Sequence, residues 1–299
     1  MRQLKLKNLT WIDIVKPHNG DLDFLQKNFN FHSLILKEIK QPTYHPLFES
    51  YNTYLFWILH FPDWEKNSHI TSQEIDFLIT RNVIITIRYS NFKNFDEIWR
   101  NIEQNYSKMK LEITGHLFYQ IVRKLLNNTF PEINHIKEII DEMEDKIFID
   151  PDEKAVIKVN DLKRTIIDFL KTFKPQQFVW ENSQEEVLFF WGERFKPYLS
   201  DLVTDYRRIL HLIDTYWAIA KTLNYSLEAI FNDRRNHVVE ILTIFTAIIL
   251  PLSLLTSLYG MNLAHLPFAN HPFAFWGFII LMAVSSILAL AYFRYKKWL

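Results

Sequence analysis

Residues 241–293 contain no Asp, Glu, Lys or Arg. Two stretches inside that run, ILTIFTAIILPLSLLTSL (241–258) and FAFWGFIILMAVSSILALAYF (273–293), are each long enough to cross a bilayer, which takes about 20 residues at about 1.5 Å apiece. A chain ending this way either spans a membrane or hides an apolar hairpin in a soluble core. The aromatic and basic residues that close the second stretch favour the membrane. Arg234 and Arg235 precede the first span, and Arg294, Lys296 and Lys297 follow the second, whereas the connecting NLAHLPFANHP has neither Lys nor Arg. The excess of positive charge places both ends in the cytoplasm and the short loop outside. Tyr259, Trp276, Tyr292, Tyr295 and Trp298 stand where interfacial aromatic belts are expected.

The rest of the chain narrows the function classes. Lys and Arg total 34 and so do Asp and Glu, so no net charge argues for a nucleic-acid partner. With no cysteine, disulfides, thiol catalysis and thiolate metal sites are excluded. No GxxxxGK[ST] stretch signals a nucleotide motor, and no nucleophile–base or paired-carboxylate arrangement suggests an enzyme. MRQLKLKNLTWIDIVK has no apolar core of signal-peptide length, which predicts no secretory signal.

In residues 1–92 the runs WIDIV, SLILKEI, YLFWILHF, EIDFLIT and NVIITIRY read as strands, with Arg81-Asn82 as the turn between the last two. QPTYHP and FPDWEKNSH read as breaks. His18, His32, His45, His60 and His69 are scattered without metal-ligand spacing, so packing or surface roles are expected. Residues 93–196 read as a helical region in which Pro131 opens a helix. That helix carries Asp141, Glu142, Glu144 and Asp145, which either draw divalent cations or form a solvated face.

From 197 onward Leu199, Leu202, Tyr206, Leu210, Ile213, Trp217, Ala220, Leu227 and Phe231 recur at spacings near three and four, with Asn224 in the one gap. This seam predicts a long packed helix. No proline intervenes between Pro197 and Pro251, so the stalk can continue unbroken into the first span. A helix over residues 198–258 is about 90 Å long. Along it, Asn236, Thr243, Leu250 and Ser257 are seven apart, and Val239, Thr246 and Ser253 fall on almost the same side. Leu242 interrupts this stripe of amides and hydroxyls. Neutral oxygen suits a hydrated divalent ion, and apolar rings between hydroxyls can close a path by dewetting. A single Ser or Thr there has an ordinary reading as a back-bonded helix residue. Pro251 kinks the span by removing a hydrogen bond. Two helices enclose no aqueous path, so transport requires several copies around an axis.

The run ILTIFTAIILPLSLLTSLYGMNLAHLP, the second span opening on FWG, and the terminal YFRYKKWL closely resemble the CorA family of divalent-cation transporters. The tetrad Tyr259-Gly260-Met261-Asn262 is that family's signature. The upstream FHSLILKEIKQPTYHP, YLFWILHF and FLITRNVIITIRY look like its cytoplasmic domain. The resemblance implies a funnel-shaped homopentamer whose first span lines the pore. It implies that Gly260, Met261 and Asn262 form the outer mouth, Asn236 the inner one, and Leu242 and Leu250 hydrophobic constrictions, with Ser253 below the mouth. It also implies that intracellular Mg²⁺ bound between subunits closes the channel, with Asp201 as one regulatory carboxylate. Tyr225 stands where some members carry a second. The loop after the signature has no acid, and holds His265 and His271 instead.

The expected architecture is an α+β membrane protein: a cytoplasmic α/β domain (1–92), a helical region (93–196), a stalk (197–240), two transmembrane helices (241–258 and 273–293), an extracytoplasmic loop (259–272) and a basic cytoplasmic tail (294–299). Expected function is Mg²⁺ influx through the inner (plasma) membrane, the ion serving as both substrate and regulatory ligand. Co²⁺, Ni²⁺ or Zn²⁺ transport, including zinc efflux, is the alternative within the same fold. A non-conducting membrane sensor or scaffold is the alternative of another class. Partners are further copies of the chain and the lipid bilayer, with no nucleic acid and no nucleotide.

Overall fold

The computed structural model describes residues 1–64, 70–149, 151–261, 273–296 and 298. Two units are distinguished, residues 1–224 and 225–299.

The first unit is built on a six-stranded sheet. Its strands are β1 (Arg2–Leu6), β2 (Leu9–Val15), β3 (Leu47–Ser50), β4 (Tyr54–Trp64), β5 (Ile70–Thr80) and β6 (Val83–Arg88), in spatial order β1-β2-β6-β5-β4-β3. Only β2 and β6 pair in parallel, with Ile12 opposite Ile85. Alternation along the strands sends residues to two faces. Ile12, Ile14, Phe56, Ile58, Leu78, Ile85 and Ile87 pack on one face with Leu25 of helix α1 (Asn19–Asn28) and Ile35 of α2 (Ser33–Glu38). On the other face Trp57 and Phe77 meet Phe118 of α4 (Thr114–Ile149), and Trp11 meets Phe95 and Trp99 of α3 (Lys93–Asn105). Helices α5 (Glu153–Phe173), α6 (Gln177–Asn182) and α7 (Gln184–Trp191) complete that side. The long helix α8 (Lys196–Tyr259) begins in this unit, and α9 (Ala274–Tyr295) lies in the second.

Three expectations change. SLILKEI is mostly the helix α2, because the His32 side chain accepts from the Leu34 N–H and caps it. FPDW does not break the chain: β4 runs through Pro62, which pairs with Ser72 of β5. There β3 no longer covers the other edge, since it reaches only Ile58, so a missing N–H loses no ladder bond on that side. Pro131 does not open a helix but sits inside α4. Leu117, Ile121, Leu125 before it and Ile133, Ile136, Ile140, Met143, Ile147 after it form one continuous buried seam. That packing outweighs the proline's cost of about 3 kcal/mol.

The histidines find structural roles. His18 and His32 are helix N-caps. The His60 Nε2 bonds the Thr43 carbonyl oxygen at 2.9 Å and the Glu74 carboxylate at 3.2 Å. His69 lies outside the described residues.

One buried carboxyl gives a pH-dependent stability. Burial, and next the Asp63 carboxylate, push Glu132 up to about 8, and its Oε2 has no hydrogen-bond partner among the described residues. The folded state then holds a proton that the unfolded chain releases near its ordinary value of about 4.3. Stability is therefore full below that value and declines as pH rises towards about 8. Glu132→Gln is expected to raise the thermal midpoint by several degrees at about pH 9 and to change it little at about pH 5. Equal shifts at both pH values would contradict this.

Candidate functional site

Helix α8 carries every residue of the polar stripe. Asn236, Val239, Leu242, Thr243, Thr246, Leu250, Ser253 and Ser257 are all exposed in the chain. At about 100° per residue they share one side. Ile244, Ile248, Leu252 and Leu255 are the buried or half-buried residues of this stretch, and by the same arithmetic they lie on the opposite side. That side meets α9, with Tyr259 against Phe278 at 4.5 Å between ring centroids. The stripe is thus the face that the second unit leaves uncovered.

The two threonine hydroxyls of the stripe are arranged in one sense. Thr243 Oγ1 donates to the Val239 carbonyl at 2.7 Å, and Thr246 Oγ1 donates to the Leu242 carbonyl at 2.8 Å. This is the ordinary back-bonding of a helical threonine. It also commits each hydroxyl hydrogen to the backbone, leaving outward lone pairs that can only accept. Acceptors are what the hydrogens of a cation's water shell require. Pro251 lies within α8, which continues past it to Tyr259.

At the end of α8 the Gly260 N–H donates to the Thr256 carbonyl at 2.9 Å. A Cβ on Gly260 would stand 3.1 Å from that carbonyl oxygen, and its φ is not in the left-handed region. A side chain at this position would be tight against the preceding turn, with no demand from backbone freedom. Tyr259 and Met261 are exposed. Asn262, His265 and His271 lie outside the described residues, as do Lys297 and most of the loop.

The most apolar 18-residue stretches of α8 and α9 are 6% and 0% buried. A core hairpin would be covered on most sides; here Val239, Leu242, Phe245, Leu250, Leu254, Phe275, Trp276, Ile280 and Leu288 are exposed. Apolar surface on this scale marks a membrane or partner-covered face.

The acidic candidates separate into two places. Asp141, Glu142, Glu144 and Asp145 are exposed on α4, and Glu142 pairs with Lys158 at 3.0 Å. Among the described residues no group of three or more potential ligands is close enough to hold a metal. Asp201 on α8 accepts from the Tyr119 hydroxyl at 2.7 Å and lies 3.6 Å from Arg123. One turn on stands Asp205, which the sequence reading passed over. Burial, and next the Asp201 carboxylate, push its pKa up. The i, i+4 spacing of two acids on a packed helix was the signal available. Leu223 was also missed: it is buried at 3% exposure and fills the gap assigned to Asn224, which is half-buried.

An α+β unit followed by two long apolar helices, the first bearing an uncovered uncharged stripe, defines a membrane-associated protein. Residues 7–297 match the family model described as CorA-like Mg²⁺ transporter protein, and the chain belongs to that family. A relative from Thermotoga maritima, named cobalt/magnesium transport protein CorA, is 25% identical over 97% of this chain and 83% of its own length. The solved CorA magnesium transporter of Methanocaldococcus jannaschii superposes with a TM-score of 0.82 at 23% identity, covering 100% of this chain and 95% of that one. The full-length CmaX protein gives 0.78 at 17% identity over 97% and 89%. These two structures establish likeness of fold.

Proposed function

We propose that this chain forms a channel-like transporter that admits Mg²⁺ to the cytoplasm down its electrochemical gradient and is closed by intracellular Mg²⁺. Membership of the CorA-like family over nearly the whole chain carries the reading. The uncovered stripe from Asn236 to Ser257 supports it, because one copy leaves its acceptors facing nothing. Several copies around an axis, a homopentamer in this reading, turn the stripe into a wall. Both chain ends are cytoplasmic, and the membrane is the inner (plasma) membrane.

Transport follows from charge and hydration. A doubly charged ion gains about 4.6 kcal/mol per 100 mV of inside-negative potential. The ion keeps its water, which Mg²⁺ exchanges reluctantly, and the Tyr259-Gly260-Met261-Asn262 mouth receives it through that water. Thr243, Thr246, Ser253 and Ser257 accept from the shell further in. Leu242 and Leu250 are the constrictions where the path dries and closes, and Pro251 lets the span bend between states. Asp201, joined by Asp205, is the regulatory carboxylate, and Mg²⁺ there competes with Tyr119 and Arg123. Asp141, Glu142, Glu144 and Asp145 of α4 are further regulatory candidates in this reading, Glu142 being paired with Lys158.

Co²⁺, Ni²⁺ or Zn²⁺ as cargo is the second reading, favoured by His265 and His271 beside the mouth in a loop without carboxylates. Uptake of each ion by proteoliposomes at equal concentration decides between them. Mg²⁺ is expected to enter fastest. Co²⁺ or Zn²⁺ entry without Mg²⁺ entry would reverse the choice, and no entry of any divalent ion would leave a sensor or scaffold.

A further inference from the structure

Helix α9 has two distinct sides. Phe278, Met282, Ser285, Ala289 and Phe293 are buried or half-buried and recur on one side at helical spacing. Ile287, Leu290, Ala291 and Arg294, at i, i+3, i+4 and i+7, lie opposite. These four line an open hollow of about 650 Å³. Three apolar rungs therefore lead along the helix to one guanidinium. Among the described residues no carboxylate pairs with Arg294. Its neighbour Lys296 is turned elsewhere, with its ammonium over the rings of Tyr292 and Trp298 at 5.7 and 5.5 Å from their centroids.

We propose that this hollow is a binding site for an anionic glycerophospholipid of the phosphatidylglycerol type, with one acyl chain along Ile287, Leu290 and Ala291 and its phosphate on Arg294. The inference rests on reading α9 as a membrane span. The hollow faces away from α8, so lipid rather than the path borders it. Arg294 stands at the end of the apolar stretch, at headgroup depth, where a long cationic side chain reaches the interface. A planar guanidinium binds a phosphate through two N–H donors. A headgroup without its own ammonium leaves that phosphate free, whereas a choline headgroup carries a competing cation.

The test is photo-crosslinking from p-benzoylphenylalanine placed at Leu290 of the full chain. Vesicles contain equal phosphatidylglycerol and phosphatidylcholine. Adducts to phosphatidylglycerol are expected to exceed those to phosphatidylcholine about fivefold. Arg294→Gln should bring the ratio near unity, and Arg294→Lys should keep part of the preference. Equal adducts in the parent chain, or an unchanged ratio in Arg294→Gln, would overturn the site. Crosslinks to a second copy would overturn it too, by showing that a subunit covers this face. Mg²⁺ entry into the same vesicles is read separately. Entry without lipid preference defeats the lipid site alone, while absence of both lipid and subunit adducts, together with no Mg²⁺ entry, defeats the membrane reading with it.

Discussion

Replacing Asn262 with alanine is expected to cut Mg²⁺ entry into proteoliposomes by about 10- to 100-fold, with assembly unchanged by size-exclusion chromatography. The signature sits between the two apolar runs, and Asn262 is the residue in it whose side chain offers a neutral carbonyl oxygen. A hydrated divalent ion at the mouth donates through its water to such an acceptor. Alanine leaves that water unmet, and in a symmetric assembly the loss repeats in every copy. Replacement by aspartate separates charge from geometry: a ring of carboxylates should raise affinity for the ion and slow its release. Parent-like flux in Asn262→Ala would remove the proposed mouth.

Asp13→Ala is expected to destabilise the first unit by about 3–5 kcal/mol. Asp13 is fully buried on β2 and Arg88 nearly so on β6. Arg88 donates to both Asp13 oxygens, at 3.1 and 2.7 Å, and the Thr86 hydroxyl donates at 2.8 Å. Arg2 adds a bond at 2.9 Å from β1, so one carboxylate ties three strands. Arg88 also lies 4.4 Å over the Phe95 ring and 3.2 Å from Asp96, which joins the sheet to α3. Removing Asp13 takes two of the three carboxylate bonds from a buried guanidinium and leaves it only the half-exposed Asp96, which is the costly half of breaking such a pair. The thermal midpoint of the purified full chain should fall by about 10 °C. A change under about 2 °C would show that the pair contributes little.

The strands β2, β5 and β6 were legible because β-branched and aromatic residues dominate WIDIV, EIDFLIT and NVIITIRY. The two long apolar helices were legible because charge is absent for so long. SLILKEI was not, since the six residues of α2 are too few to show a period, and its cap is a histidine, a residue rarely read as one. Pro131 misled because proline's local cost is visible in a sequence while the seam that outweighs it is assembled from residues on both sides. β1 escaped notice because RQLKL alternates charge with leucine at an edge. The stripe of α8 was readable by counting, yet only the structure shows that Ile244, Ile248 and Leu255 on the opposite side are the ones covered. Asp205 was overlooked because its significance depends on Asp201 one turn away on the packed helix.

The proposed path for divalent cations is lined by α8. Its most direct test is Mg²⁺ uptake into proteoliposomes while an inside-negative potential is imposed and internal Mg²⁺ is varied. Uptake is expected to grow with the potential and to fall as internal Mg²⁺ rises. Uptake indifferent to potential, or none in vesicles that contain the assembled protein and no internal Mg²⁺, would contradict it.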